Sequence, residues 1–129
     1  MTAMEMDLDV KVSKLGNIPI LDLAGDLDSY TCARLRDAIL DLISKGEFRI
    51  VISLANVDYI DTVGLGTLVG GLRRVNEKNG GLALSGANPR ILRVLSITGL
   101  NQVFSLFDDP GEAVRSLDSA SHERRENGA

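Results

Sequence analysis

Val57-Asp58-Tyr59-Ile60-Asp61-Thr62-Val63-Gly64-Leu65-Gly66 carries an apolar strand into a helix and leaves an acid and a hydroxyl at the junction. A helix that begins near Asp61 has unpaired backbone N–H groups and the positive end of its dipole there, so a phosphate on Thr62 would be tolerated at a position open to partners. By residue type alone Asp61 also reads as an ordinary N-cap, and Thr62 as a first-turn residue whose hydroxyl satisfies a backbone N–H.

Upstream, Phe48 to Leu54 holds Ile50, Val51, Ile52 and Leu54, with too little alternation for a half-wet strand; it reads as a central strand covered on both faces. Before it, Leu35, Ala38, Ile39, Leu42 and Ile43 form a helical stripe closed by Gly46 at C′. That helix follows Gly25-Asp26-Leu27-Asp28, where Asp28 or Ser29 can accept bonds from its first N–H groups. Further back, Ile18 to Ala24 reads as a strand returning antiparallel, across Gly16-Asn17, to an edge strand in which Leu8, Val10 and Val12 alternate with Asp7, Asp9, Lys11 and Ser13.

Downstream, Leu65, Leu68, Val69, Leu72 and Val75 or Asn76 give a second helical stripe, ended by Asn79-Gly80-Gly81. Leu82-Ala83-Leu84 is a short strand, and Asn88-Pro89 opens a third helix with Ile91, Leu92, Val94 and Leu95 on its buried side. Val103 to Phe107 is the last strand, and Asp109-Pro110-Gly111-Glu112 starts a fourth helix that buries Ala113, Val114 and Leu117. One domain over residues 1–117 is expected, with 118–129 a polar, disordered tail. Strands separated by helices imply parallel pairing, and the opening hairpin adds one antiparallel edge: an α/β fold with a mixed, mostly parallel sheet of about five strands and four helices.

The two strand-to-helix junctions fall on one rim of such a sheet, so Asp28 and Asp61 are expected to be neighbours. With Leu65 at the centre of the buried stripe, a step of about 100° per residue places Val63, Gly66, Thr67, Gly70 and Arg74 outward. Glycine inside a helix costs about 1 kcal/mol against alanine. An outward face of glycines therefore suits a surface that another protein approaches closely.

Bulk properties narrow the classes of function. Eighteen acidic and fourteen basic residues give a formal net charge of −4 with no basic run, which disfavours nucleic acid as a partner. Met1 to Asp7 lacks a basic segment followed by an apolar one, and no long apolar run occurs, so neither export nor direct membrane insertion is expected. The single cysteine, Cys32, can form no internal disulfide, and a cytoplasmic location is the default. No metal or cofactor motif is present, and the one histidine, His122, lies in the polar C-terminal segment.

Gly25-Asp26-Leu27-Asp28, then Ile60-Asp61-Thr62-Val63-Gly64-Leu65-Gly66 after an apolar strand, then Gly80-Gly81-Leu82 resemble the STAS domain, and specifically the bacterial anti-sigma factor antagonists (anti-anti-sigma factors). The resemblance runs in order and spacing from about Met6 to Leu117. It implies a STAS-type fold and a partner-switching protein, not an enzyme, that binds an anti-sigma factor kinase of the GHKL ATPase type and frees a sigma factor, with a phosphatase to reset it. It further implies Thr62 as phosphoacceptor. A partner surface would then include Asp28, Asp61, Val63, Gly64, Gly66, Thr67, Gly70 and Arg74. The chain departs from the family in Thr62, where Ser is commonest, and in Val63, where a smaller residue is usual.

Other readings carry different signatures. A receiver domain phosphorylated on Asp61 needs paired acids after its first strand and a late lysine; the chain instead opens with a hairpin and has Ser85-Gly86-Ala87-Asn88 after the late strand. A nucleotide-binding enzyme lacks its loop, because Gly64-Leu65-Gly66 has no third glycine of a dinucleotide motif. A STAS scaffold or regulatory subunit in a stressosome-like or lipid-transport ATPase assembly keeps the fold and changes the task.

Overall fold

The structure, a computed structural model, describes residues 8–127. Among them five strands form one sheet: β1 (Asp9–Leu15), β2 (Ile18–Leu27), β3 (Arg49–Ile60), β4 (Gly81–Ser85) and β5 (Ser105–Phe107), in that spatial order. β1 and β2 are antiparallel and every later pair is parallel. Helices α1 (Cys32–Ser44), α2 (Thr62–Asn76), α3 (Pro89–Ile97) and α4 (Pro110–Asn127) complete the order expected from the sequence.

The sheet is covered on both faces. Leu21 and Leu23 of β2, Ile50, Ile52 and Leu54 of β3, and Leu82 and Leu84 of β4 meet Leu35, Ile39 and Leu42 of α1, Leu65, Leu68 and Val75 of α2, and Ile91 and Leu95 of α3. On the other face Ile18, Ile20, Val51 and Ala83 lie against Ala113 and Val114 of α4, with Leu117 half-buried beside them. Successive strands added in one direction carry right-handed crossovers on one side, which is why α1 to α3 share a face and only the terminal α4 crosses over.

Three features differ from the sequence reading. β3 does not stop at Leu54 but runs to Ile60, and its last buried positions, Leu54, Val57 and Ile60, recur every third residue. Register shifts against β2 between Asp22 and Ala24 and between Gly25 and Asp26 twist the strand, so the period-2 signal of a strand is lost there. Val103 is 52% exposed and follows a 3-10 turn over Leu100–Gln102, leaving the last strand only Ser105–Phe107. Leu92 of α3 faces water. The bounds of α4, Pro110–Asn127, take in most of the polar C-terminal segment. Asp7, residues 128 and 129, and the side chain of His122 lie outside the described residues.

Candidate functional site

The parallel register sets Leu27 opposite Ile60, so β2 and β3 end together and the acids that follow them are brought to one rim. The Asp61 N–H donates to the Leu27 carbonyl at 3.1 Å, tying the two strand ends across the junction. Asp61 caps α2: its Oδ1 accepts from the Gly64 N–H at 2.8 Å. Its Oδ2 accepts from the Ser29 N–H of the other loop at 3.2 Å. One carboxylate thus satisfies a helix terminus and links both junctions.

Asp28 acts differently from the expectation. The N-cap position of α1 is Thr31, not Asp28 or Ser29, and no side chain caps that helix. Asp28 is only 8% exposed, and its Oδ1 accepts from the N–H groups of Tyr30 and Thr31 at 2.9 and 3.1 Å within the loop. The buried Thr31 hydroxyl donates to the Asp26 carbonyl at 2.7 Å and accepts from the Asp28 N–H at 3.0 Å. Asp28 and Thr31 therefore fix the loop from inside, and little of the Asp28 carboxylate reaches the surface.

Thr62 is exposed at the first position of α2. Its hydroxyl has no hydrogen-bond partner among the described residues, because the Gly64 N–H it could have taken is held by Asp61. Of the outward positions expected along the helix, Val63, Gly66 and Arg74 are exposed and Thr67 and Gly70 are half-buried. These five line one cleft of about 240 Å³ whose other wall is Arg36 and Ile39 of α1.

Gly64 belongs to the interior. A Cβ there would lie 2.4 Å from the Leu27 carbonyl oxygen, so this glycine is required by the closure of β2 onto α2. A Cβ at Gly71 would likewise lie 2.8 Å from Ile39 Cδ1, whereas a Cβ at Gly66 or Gly70 meets nothing within 4 Å.

Sequence reasoning missed two aromatics. Tyr30 is 86% exposed beside the Asp28 loop, and Tyr59 is 49% exposed just before the junction. The available signal was their position: each lies two residues from a junction acid and outside every hydrophobic stripe. Among the described residues no cluster of His, Cys, Asp or Glu could hold a metal ion, and no helix is long and apolar enough to cross a membrane.

Comparison with known proteins follows the same outline. The model of the STAS domain matches residues 9–113. The anti-sigma-B factor antagonist of Bacillus subtilis is 32% identical over 101 residues, 78% of this chain and 92% of that protein. A crystal structure of a candidate anti-sigma factor antagonist from Thermotoga maritima superposes with a TM-score of 0.80 at 25% identity, covering 84% of this chain and 94% of that one. The Bacillus cell fate determinant SpoIIAA, in its phosphorylated form, has the same fold at 20% identity, with a TM-score of 0.66 over 84% of this chain and 98% of that one. The chain belongs to the STAS domain family, on the branch of the bacterial anti-sigma factor antagonists.

Proposed function

We propose that this chain is an anti-sigma factor antagonist: it binds an anti-sigma factor that is a serine/threonine kinase of the GHKL ATPase type, thereby frees a sigma factor, and is switched off by phosphorylation of Thr62. The observation that carries this reading is the exposed Thr62 hydroxyl at the start of α2, free of internal hydrogen bonds among the described residues, beside a carboxylate whose two oxygens each hold a backbone N–H. The name of the Bacillus subtilis relative supports the partner class. The partner supplies ATP, magnesium and the base; this chain is its ligand and its substrate. A sigma-factor circuit of this kind operates in the cytoplasm, and a phosphatase would restore the unmodified hydroxyl.

Electrostatics gives the switch its direction. Phosphorylation adds about −1.5 to −2 charge next to Asp61. The end of the α2 dipole returns only about half a unit of positive charge. That is enough to keep the modified helix start stable, and too little to cancel the charge at an interface. Repulsion and desolvation release the partner without refolding, and both the unphosphorylated and the phosphorylated forms of SpoIIAA share the fold of this chain with a TM-score of 0.66.

The test is binding and phosphate transfer with the isolated anti-sigma factor. Thr62→Ala should bind like the wild type and accept no phosphate, while Thr62→Glu should lose most of its affinity. Equal affinity for the wild type and Thr62→Glu, or undiminished phosphate transfer to Thr62→Ala, would sink the proposal.

A further inference from the structure

We infer that the cleft between α1 and α2 receives an acidic side chain of the anti-sigma partner, held between Arg36 and Arg74. This rests on the partner reading above and adds the chemistry of a second contact. At about 240 Å³ the cleft is smaller than the roughly 300 Å³ at which small-molecule pockets begin. It has room for one or two side chains, so a residue projecting from another protein fits it better than a metabolite does.

Its lining specifies which residue. Ile39 and Val63 offer apolar flanks, and Gly66 and Gly70 leave the floor open, since a Cβ on either meets nothing within 4 Å. The fold has no internal use for that empty space, yet both glycines lower the helix propensity of α2. Arg36 and Arg74 are exposed at the walls. Arg36 Nε lies 3.6 Å from the exposed Asp37 carboxylate, a pair screened by solvent, and Arg74 has no ion pair among the described residues.

Two guanidinium groups and no carboxylate line this cleft, in a chain with net charge −4. A glutamate matches each part of the cleft. Its methylene stem lies over the glycine floor against Ile39 and Val63, and its carboxylate meets a planar guanidinium fork.

The Arg74 end of the cleft is electrostatically separate from the switch. Arg74 lies twelve residues beyond Thr62, about 18 Å along the helix axis at about 1.5 Å per residue. That exceeds the screening length of about 8 Å at physiological salt. Arg74 therefore reads the partner and leaves the phosphate alone, so affinity through Arg74 and release through Thr62 can be altered independently.

The experiment uses the full chain and the anti-sigma factor that copurifies with it, produced separately and titrated by calorimetry. The double reversal Arg36→Glu/Arg74→Glu should weaken binding on the order of tenfold or more. Gly70→Leu, which fills the floor, should weaken binding as well while its melting temperature stays at or above that of the wild type. A glutamate-to-lysine scan of the partner should find one substitution that restores binding to the double reversal. Cleft variants that bind within about twofold of the wild type, or a scan in which nothing restores binding, overturn the inference. Loss of binding by Thr62→Glu with intact binding by the cleft variants removes the cleft alone. Loss in the cleft variants with intact Thr62→Glu removes the switch and keeps the cleft. If the wild-type chain binds no anti-sigma factor, both fall.

Discussion

Alanine at each glycine of α2 separates residues that hold the fold from residues that shape a surface. At Gly66 and Gly70 a new methyl enters open space, and neither has a positive φ. Each substitution should therefore gain the helix propensity of alanine, about 0.5–1 kcal/mol. For a domain of this length about 1 kcal/mol corresponds to roughly 4 °C, so Gly66→Ala/Gly70→Ala should melt about 4–8 °C above the wild type. At Gly64 the same methyl arrives 2.4 Å from the Leu27 carbonyl oxygen and 2.9 Å from Leu27 Cγ. That oxygen also accepts from the Asp61 N–H, so it cannot move without opening the junction. Overpacking of about 3 kcal/mol then outweighs a propensity gain of about 1, and Gly64→Ala should melt roughly 8 °C below the wild type. Thermal denaturation followed by circular dichroism reads all three. A Gly64→Ala protein as stable as the wild type, or a destabilised Gly66→Ala/Gly70→Ala, would refute the division of the helix into an inward and an outward glycine pair.

Three further outcomes test the junction. Asp61→Ala removes the α2 cap and the link to the Ser29 N–H, and should cost about 1–2 kcal/mol in urea denaturation; faster amide exchange at Ser29 would mark the lost link. Thr31→Val keeps the shape but strands the Asp26 carbonyl and the Asp28 N–H, and a loss of about 1–3 kcal/mol is expected by the same measurement; a neutral result would mean that water replaces the hydroxyl. Tyr30→Ala should leave stability within about 0.5 kcal/mol, because the side chain is 86% exposed, and should lower affinity for the anti-sigma factor in calorimetric titration if the rim is a docking surface.

The strands and helices were legible wherever one period governed a whole element. The stripe through Leu35, Ile39 and Leu42 belongs to a single helix against a single sheet, and burial follows it. The unbroken run Ile50-Val51-Ile52 is covered on both faces, as its lack of alternation implies. Legibility failed where two elements impose their geometry together. Past Leu54, the bulged pairing of β2 with β3 replaces period two by a spacing of three, which resembles neither a strand nor a helix. The same limit applies to the site. Exposure of Thr62 followed from its place at a helix start, but the roles of Asp28 and Gly64 depend on contacts with Thr31 and Leu27, which only the folded chain supplies. Arg36 escaped notice because a charged residue on the wet face of α1 looks like any other until α2 is packed beside it.

The spacing of glycines along α2 shows how a single helix can serve both the fold and a partner. Gly64 and Gly71 are seven residues apart, about two turns, and both point inward, one under Leu27 and the other against Ile39. Gly66 and Gly70 are four apart and both point out, so they belong to the adjacent face and not to the packed one. The inward pair lets α2 approach β2 and α1 closely, which fixes Asp61 at the strand ends and leaves the Thr62 hydroxyl outside. The outward pair weakens the helix and contributes no packing to the fold. Selection for stability alone would have filled those two positions, since alanine fits both. Glycine at both is therefore explained by the surface they leave open, next to a hydroxyl that the Asp61 cap keeps free of internal hydrogen bonds.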